Sequence, residues 1–245
     1  MQRKFTDRLL KSPSAYLLVS HGSRDPRPQA EVEKLAVLVS QKLGSANWVG
    51  TACLELAPLP LHRQIEEFGK QAIASQLNSV QIVPLFLLPG VHVMEDIPSE
   101  VDIARLKLDL PIEIRPHLGV HPNLGRLFAN QISSLDAEGK ILLSHGSRRP
   151  NGNQPVEELA ACLGAIPAYW SIPPSLESRV KELAIAGKKK ICIIPYFLFP
   201  GGIADAIASA VDVISQELPA VDFSLRAPIG ASTELADLIL DLVRE

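Results

Sequence analysis

Short, continuously apolar runs alternate with stretches of helical spacing along the whole chain. AYLLVS (15–20) is apolar almost throughout, the pattern of a parallel strand covered on both faces. In residues 28–43, Val32, Leu35, Ala36, Val39 and Leu43 recur at helical spacing, and Gly44 follows as a stop. WVGTACLEL (48–56) reads as a second strand, and APLPLHRQIEEF opens a second helix with Pro58 and Pro60 near its start. SVQIVPLFLLPG (79–90) predicts a third buried strand, VMEDIPSEVDIARLKL a third helix, LPIEIRPHLG (110–119) a fourth strand and HPNLGRLFANQISSL a fourth helix.

The pattern then starts again. KILLSHGS (140–147), PVEELAACLG (155–164) and AIPAYWSI (165–172) replay strand, helix and strand. PPSLESRVKELAIAG, KKKICIIPYFLFPGG (188–202), AVDFSLRAPIG and ASTELADLILDLVRE complete the second round. The repeat is plainest in LLVSHGSRDP (17–26) and ILLSHGSRRP (141–150), which place His21 and His145 124 positions apart (145 − 21). Strands alternating with helices require crossover connections and parallel sheets. The expected fold is therefore α/β, with two tandem homologous doubly wound domains, each an approximately four-stranded parallel sheet flanked by helices. A boundary near Ser134 to Gly139 gives domains 1–136 and 137–245.

Composition narrows the classes of partner. With 245 residues and 47% apolar content, the chain can bury a substantial core. A net charge of −3 supplies no global basic field for nucleic acid or a membrane surface, so an anionic ligand must be met locally. Cys53, Cys162 and Cys192 are odd in number and without C-x-x-C spacing, which predicts buried free thiols and a reducing compartment. The opening MQRKFTDRLLKSPS is basic but has no apolar core, and no apolar run approaches a membrane span. These features predict a cytoplasmic protein with a few unstructured N-terminal residues. A nucleotide-binding flavodoxin-like domain is disfavoured, since no G-x-G-x-x-G or P-loop follows a strand.

Chemistry concentrates in the first half. His21 and His92 each fall just beyond a predicted strand, where open α/β sheets bind ligands, and the first and third strands of such sheets are commonly adjacent. Two neutral imidazoles with open coordination positions can hold a divalent first-row metal loosely. Glu55 could add an oxygen ligand or accept a proton, and could equally cap a helix or pair with a cation. The duplication allows comparison position by position: His21 recurs as His145, but His92 falls opposite Ile203, Glu55 opposite Trp170 and His121 opposite Ser232. His145 then reads as a loop-stabilising echo, His62, His117 and His121 as surface or loop residues, and Lys188 to Lys190 as a solvated strand entrance.

SHGSRDPR, LELAP and FLLPGVHVMEDIP together resemble the class II chelatases of the sirohydrochlorin type, over nearly the whole chain and in the long, duplicated form. The resemblance implies insertion of Fe²⁺ or Co²⁺ into sirohydrochlorin, for siroheme or cobalamin biosynthesis, with the metal as substrate and no prosthetic group. His21 matches the family's base and metal ligand, and His92 its second ligand. Glu55 and the loop Leu87, Leu88, Pro89, Gly90 and Val91 match substrate-contacting positions. Sirohydrochlorin carries carboxylates that need local cations, for which Arg24 and Arg27, and Arg148 and Arg149 in the second half, are the nearest candidates. The chain ends in LILDLVRE with neither the His-rich tract nor the cysteine cluster of some cobalt-related members, which tilts the expectation toward iron. A protonated imidazole neither binds metal nor accepts a proton, so activity is expected to fall in acid. A monomer without nucleic-acid or membrane partners is expected. The alternative is a non-catalytic metal or tetrapyrrole carrier.

Overall fold

The computed structural model describes residues 13–132 and 136–244. In chain order the elements are β1 (Ala15–Ser20), α1 (Pro26–Leu43), β2 (Trp48–Cys53), α2 (Leu61–Ala74), β3 (Val80–Pro84), α3 (Ile97–Arg105) and β4 (Ile112–Ile114). Then follow α4 (Leu124–Ile132), β5 (Gly139–Ser144), α5 (Gln154–Cys162), β6 (Ile166–Tyr169), α6 (Leu176–Ile185), β7 (Lys190–Pro195), α7 (Gly202–Glu217), β8 (Asp222–Leu225) and α8 (Thr233–Arg244). They form two four-stranded sheets, ordered β2-β1-β3-β4 and β6-β5-β7-β8, with every pairing parallel. The expected α/β architecture is what the chain adopts.

In the first sheet Ala15, Leu17 and Val19 point to one face, where Leu61, Ile65 and Ala72 of α2 and Ile97, Val101 and Ala104 of α3 close over them. Alternation turns Leu18, equally buried, to the opposite face. The second sheet repeats this with Ile141 and Leu143 against α6 and α7. Helix α1 begins where the sequence provides a start: Asp25 accepts a hydrogen bond from the Arg27 amide, and Pro26 occupies the first helical position. The corresponding place in the second half is Arg149, which cannot accept from an amide, and α5 begins only at Gln154.

The compact units differ from the expected domains. One comprises the described part of Met1–His121 together with Ala231–Glu245; the other is Pro122–Gly230. Helix α8 thus completes the first unit, through a Lys42–Asp237 ion pair at 2.6 Å, the Arg115 Nε–Leu242 carbonyl hydrogen bond and the Ala231 amide on Glu31. Helix α4 belongs to the second, where Phe128 meets Tyr196 with ring centroids 5.0 Å apart and Gln131 donates to the Ala227 carbonyl. The compact units thus differ from a division at 136/137 in where α4 and α8 fall: periodicity shows which face of a helix is apolar, not which sheet receives it. Part of that boundary, residues 133–135, lies outside the described residues, as do the N-terminal residues expected to lack structure. Among the described residues no helix is long and apolar enough to cross a membrane.

Candidate metal centre

The central strand β1 ends at Ser20, and His21 follows it. Its carbonyl accepts the Glu55 amide at 2.9 Å, as the Ser20 carbonyl accepts that of Leu54, so the β1–β2 ladder continues two residues past the strands and fixes Glu55 beside His21. Gly22 makes this approach possible. Its φ is +98°, and a Cβ there would lie 1.9 Å from the Glu55 carbonyl oxygen. On the other side of β1, Val19 pairs with Pro84 of β3, and the chain runs through Leu87 to Val91 into a π turn at His92–Asp96 before α3.

These connections bring His21, Glu55 and His92 together. One ligand atom from each lies within 4.8 Å of the other two, the single such group of three His, Cys, Asp or Glu among the described residues. His21 Nε2 stands 3.9 Å from Glu55 Oε2, and the His21 and His92 rings meet edge to face with centroids 4.8 Å apart. At 3.9 Å the His21–Glu55 pair is too long for a hydrogen bond. Two donors each about 2.1 Å from one ion stand at most about 4.2 Å apart, so this pair already has bridging separation. His21 and Glu55 are half exposed, which leaves coordination positions open, unlike a closed four-ligand structural site.

The remaining bonds of the imidazoles are informative. His21 Nδ1 lies 3.1 Å from the Gly22 carbonyl and His92 Nδ1 lies 2.8 Å from Asp96 Oδ2. A carbonyl or carboxylate only accepts, so each Nδ1 carries the hydrogen, and in the neutral ring that leaves the lone pair on Nε2. Asp96 was not among the residues singled out from sequence, although His-x-x-x-Asp entering a helix is a readable spacing. Phe86, 6.1 Å from His92 between ring centroids, is a second neighbour that escaped notice. Large apolar side chains stand exposed on the same two loops: Leu56 and Leu59 after Glu55, Val91 and Met94 around His92. Leu56 adopts φ +59°, a left-handed conformation uncommon for a non-glycine residue.

Other expected residues fall out differently. Arg24 is exposed. Arg27 is engaged by Asp25, whose carboxyl is held below its ordinary pKa by the hydrogen bonds from Arg27. Arg148 and Arg149 are exposed beside His145. His117 and His121 are buried rather than on the surface. His117 Nδ1 bonds the Phe86 carbonyl at 3.0 Å, and burial pushes its pKa down. His121 lies 3.7 Å from Asp241. His62 pairs with Glu100 at 2.9 Å, joining α2 to α3. Of the free cysteines, Cys192 is buried and Cys53 half-buried, but Cys162 is exposed on the outer side of α5, contrary to expectation.

In the second half the His145 carbonyl accepts the amide of Ser171 at 3.0 Å, and also its hydroxyl. Ser171, not Trp170, is therefore the counterpart of Glu55: the strand registers fix this, while the loops before α2 and α6 differ by one residue. Ile203 does stand opposite His92, at the start of a regular helix.

A duplicated, four-stranded parallel α/β architecture with two imidazoles and a carboxylate open at the strand ends defines a protein of the chelatase fold. The CbiX family model matches residues 15–135 and again 139–245, and the chain belongs to that family. It is 25% identical to the sirohydrochlorin ferrochelatase of Bacillus subtilis, over 94% of this chain and 91% of the relative. Against the sirohydrochlorin cobaltochelatase of Priestia megaterium the identity is 23%, over 94% and 78%. Among solved structures, the sirohydrochlorin chelatase SirB from Bacillus subtilis subspecies spizizenii, in complex with cobalt, shares the fold with a TM-score of 0.76 at 22% identity, over 95% of this chain and 94% of that one.

Proposed function

We propose that this chain inserts a divalent metal, Fe²⁺ or Co²⁺, into sirohydrochlorin, as a lyase-type chelatase serving siroheme or cobalamin synthesis. The observation that carries the reading is the open cluster of His21, Glu55 and His92, with donor atoms within 4.8 Å of one another. Imidazole nitrogens and a carboxylate suit first-row divalent ions, and an incomplete ligand set can pass the ion on.

Insertion replaces two pyrrolic protons by one metal ion. His21 and His92 hold the ion through Nε2; as macrocycle nitrogens displace them, a freed imidazole and the Glu55 carboxylate are the bases within reach of the departing protons. Exposed Leu56, Leu59, Val91 and Met94 offer apolar surface to a flat ring, and Leu87 to Val91 form the adjoining contact loop. Arg24, exposed near His21, is the local cation for a substrate carboxylate. Arg27 is a weaker candidate because Asp25 already occupies it. The metal is a substrate, no prosthetic group takes part, and the chain works as a monomer in the cytoplasm without nucleic-acid or membrane partners.

Turnover separates this reading from a carrier of metal or tetrapyrrole. Purified protein is mixed anaerobically with excess sirohydrochlorin and Co²⁺ or Fe²⁺, and the absorbance change is followed. Many equivalents of product per protein are expected; conversion that stops at one equivalent would make the chain a carrier.

A further inference from the structure

The duplicated halves share their strand registers, so a residue present in one and missing from the other can be located. Val19 pairs with Pro84 as Leu143 pairs with Pro195, an offset of 111 (195 − 84). The buried residues of the following helices, Ile97, Val101 and Ala104 against Ile207, Val211 and Ile214, keep the same spacing at an offset of 110 (207 − 97). Between strand end and first core residue, the first half therefore carries one residue more. A π turn accommodates one extra helical residue, and such turns recur at functional sites. His92–Asp96 is that turn, with the Ile97 amide reaching back to the His92 carbonyl.

The extra residue has a chemical result. The second half reads GIADAI into a regular helix from Gly202; the first reads VHVMEDI and sets Asp96 Oδ2 2.8 Å from His92 Nδ1. His21 has only a main-chain carbonyl behind its Nδ1, at 3.1 Å. A carboxylate behind a ligating imidazole fixes its tautomer and ring orientation and raises its basicity toward a metal, an effect typically worth about 10–100-fold in affinity or activity.

We propose that Asp96 is a positioning residue for His92: the inserted residue allows the π turn to hold this carboxylate against Nδ1, so that Nε2 faces the incoming ion as a fixed lone pair. The proposal rests on the metal-insertion reading of the site.

The test uses the full chain with Asp96→Ala and Asp96→Asn. The His92 tautomer is read by ¹⁵N NMR of the metal-free protein, and metal affinity by titration with Co²⁺ alone, followed through its visible absorption. The expected wild-type tautomer is Nδ1–H. Asp96→Ala should mix the tautomers and weaken Co²⁺ binding about 10–100-fold. Asp96→Asn keeps an acceptor oxygen and should restore the tautomer with only part of the affinity. Hydrogen on Nε2 in the wild type, or wild-type Co²⁺ affinity in Asp96→Ala, overturns the proposal. If the alanine variant does not fold, wild-type affinity in Asp96→Asn overturns it instead. His21→Ala and His92→Ala, titrated in parallel, keep the two readings apart. Unchanged Co²⁺ affinity in both removes the metal site itself, whereas a loss there with none in Asp96→Ala removes only the role of Asp96.

Discussion

The two halves share strand order and register, yet among the described residues the first gathers a metal-type cluster and the second does not. The difference lies in two loops. From Glu55 to Leu61 the first half takes one residue more than the second does from Ser171 to Leu176, and it takes one more again between β3 and the core of α3. One longer loop follows the carboxylate and the other holds the second imidazole. The sheets supply a constant frame, and one residue in each of two connections goes with the gain of chemistry, in keeping with the greater freedom of loops to change length.

The comparison breaks most visibly if both halves are catalytic. His21→Ala and His92→Ala should each lower the insertion rate at least about a hundredfold, as loss of a positioned ligand and base does, while His145→Ala keeps most of it; equal loss in all three would make the second half a working site.

Deleting Glu95 gives the first half the spacing of the second. The π turn should become regular helix with Ile97 still in the core, thermal unfolding should stay close to wild type, and insertion should fall about tenfold or more, in line with loss of a carboxylate behind a ligand. Full activity in the deletion would detach the π turn from the chemistry.

The glycines sharpen the contrast. Gly22→Ala and Gly146→Ala both force a side chain into a left-handed backbone, at about 1–3 kcal/mol each. At Gly22 the new Cβ meets the main-chain Glu55 carbonyl oxygen at 1.9 Å, whereas at Gly146 the overlap is milder, with Ile172 Cγ1 at 2.7 Å and Tyr169 Cβ at 2.9 Å. Thermal unfolding should show the larger loss for Gly22→Ala, together with weakened Co²⁺ binding; equal losses would mean that the Glu55 loop yields freely.

The smallest effect concerns pH. Burial holds His117 below the ordinary histidine pKa, partly offset by its bond to Phe86. The unfolded chain then takes up this proton at higher pH than the folded one. The stability that neutral His117 contributes is complete above about pH 6.5 and declines as the pH falls from there toward the folded pKa. The melting midpoint of the wild type should therefore drop more between pH 7.5 and 5.5 than that of His117→Gln; identical drops would exclude His117 as the source.

Much of this was legible in the sequence. Apolar runs ending in Ser-His-Gly-Ser announced strands with candidate ligands at their tips, and the duplication singled out His21, His92 and Glu55, whose ligand atoms the fold brings within 4.8 Å of one another. Three things were not. The counterpart of Glu55 was misread by one position because helix residues were aligned across loops of unequal length, and only the strand register reveals Ser171. Asp96 was hidden because its role depends on a local change of helix type that periodicity does not register. The allegiance of α4 and α8 was invisible because an apolar face carries no address: Leu235, Ile239 and Leu242 would read the same beneath either sheet.

That last feature bears on the order in which the polypeptide can become a protein. The unit from Pro122 to Gly230 is continuous, so every part of it is synthesised before α8 and leaves the ribosome ahead of it. The half that bears the metal-type cluster is translated first but lacks a covering helix until Thr233–Arg244, which follows the whole of the other unit, is synthesised. Chains ending before and after α8, each held on the ribosome by a linker long enough to clear the exit tunnel and probed by proteolysis, should thus show the second-made unit protected before the first. If they do, a synthesis interrupted before α8 yields a folded half without the metal-type cluster, and the half that carries the cluster is completed only once α8 has followed.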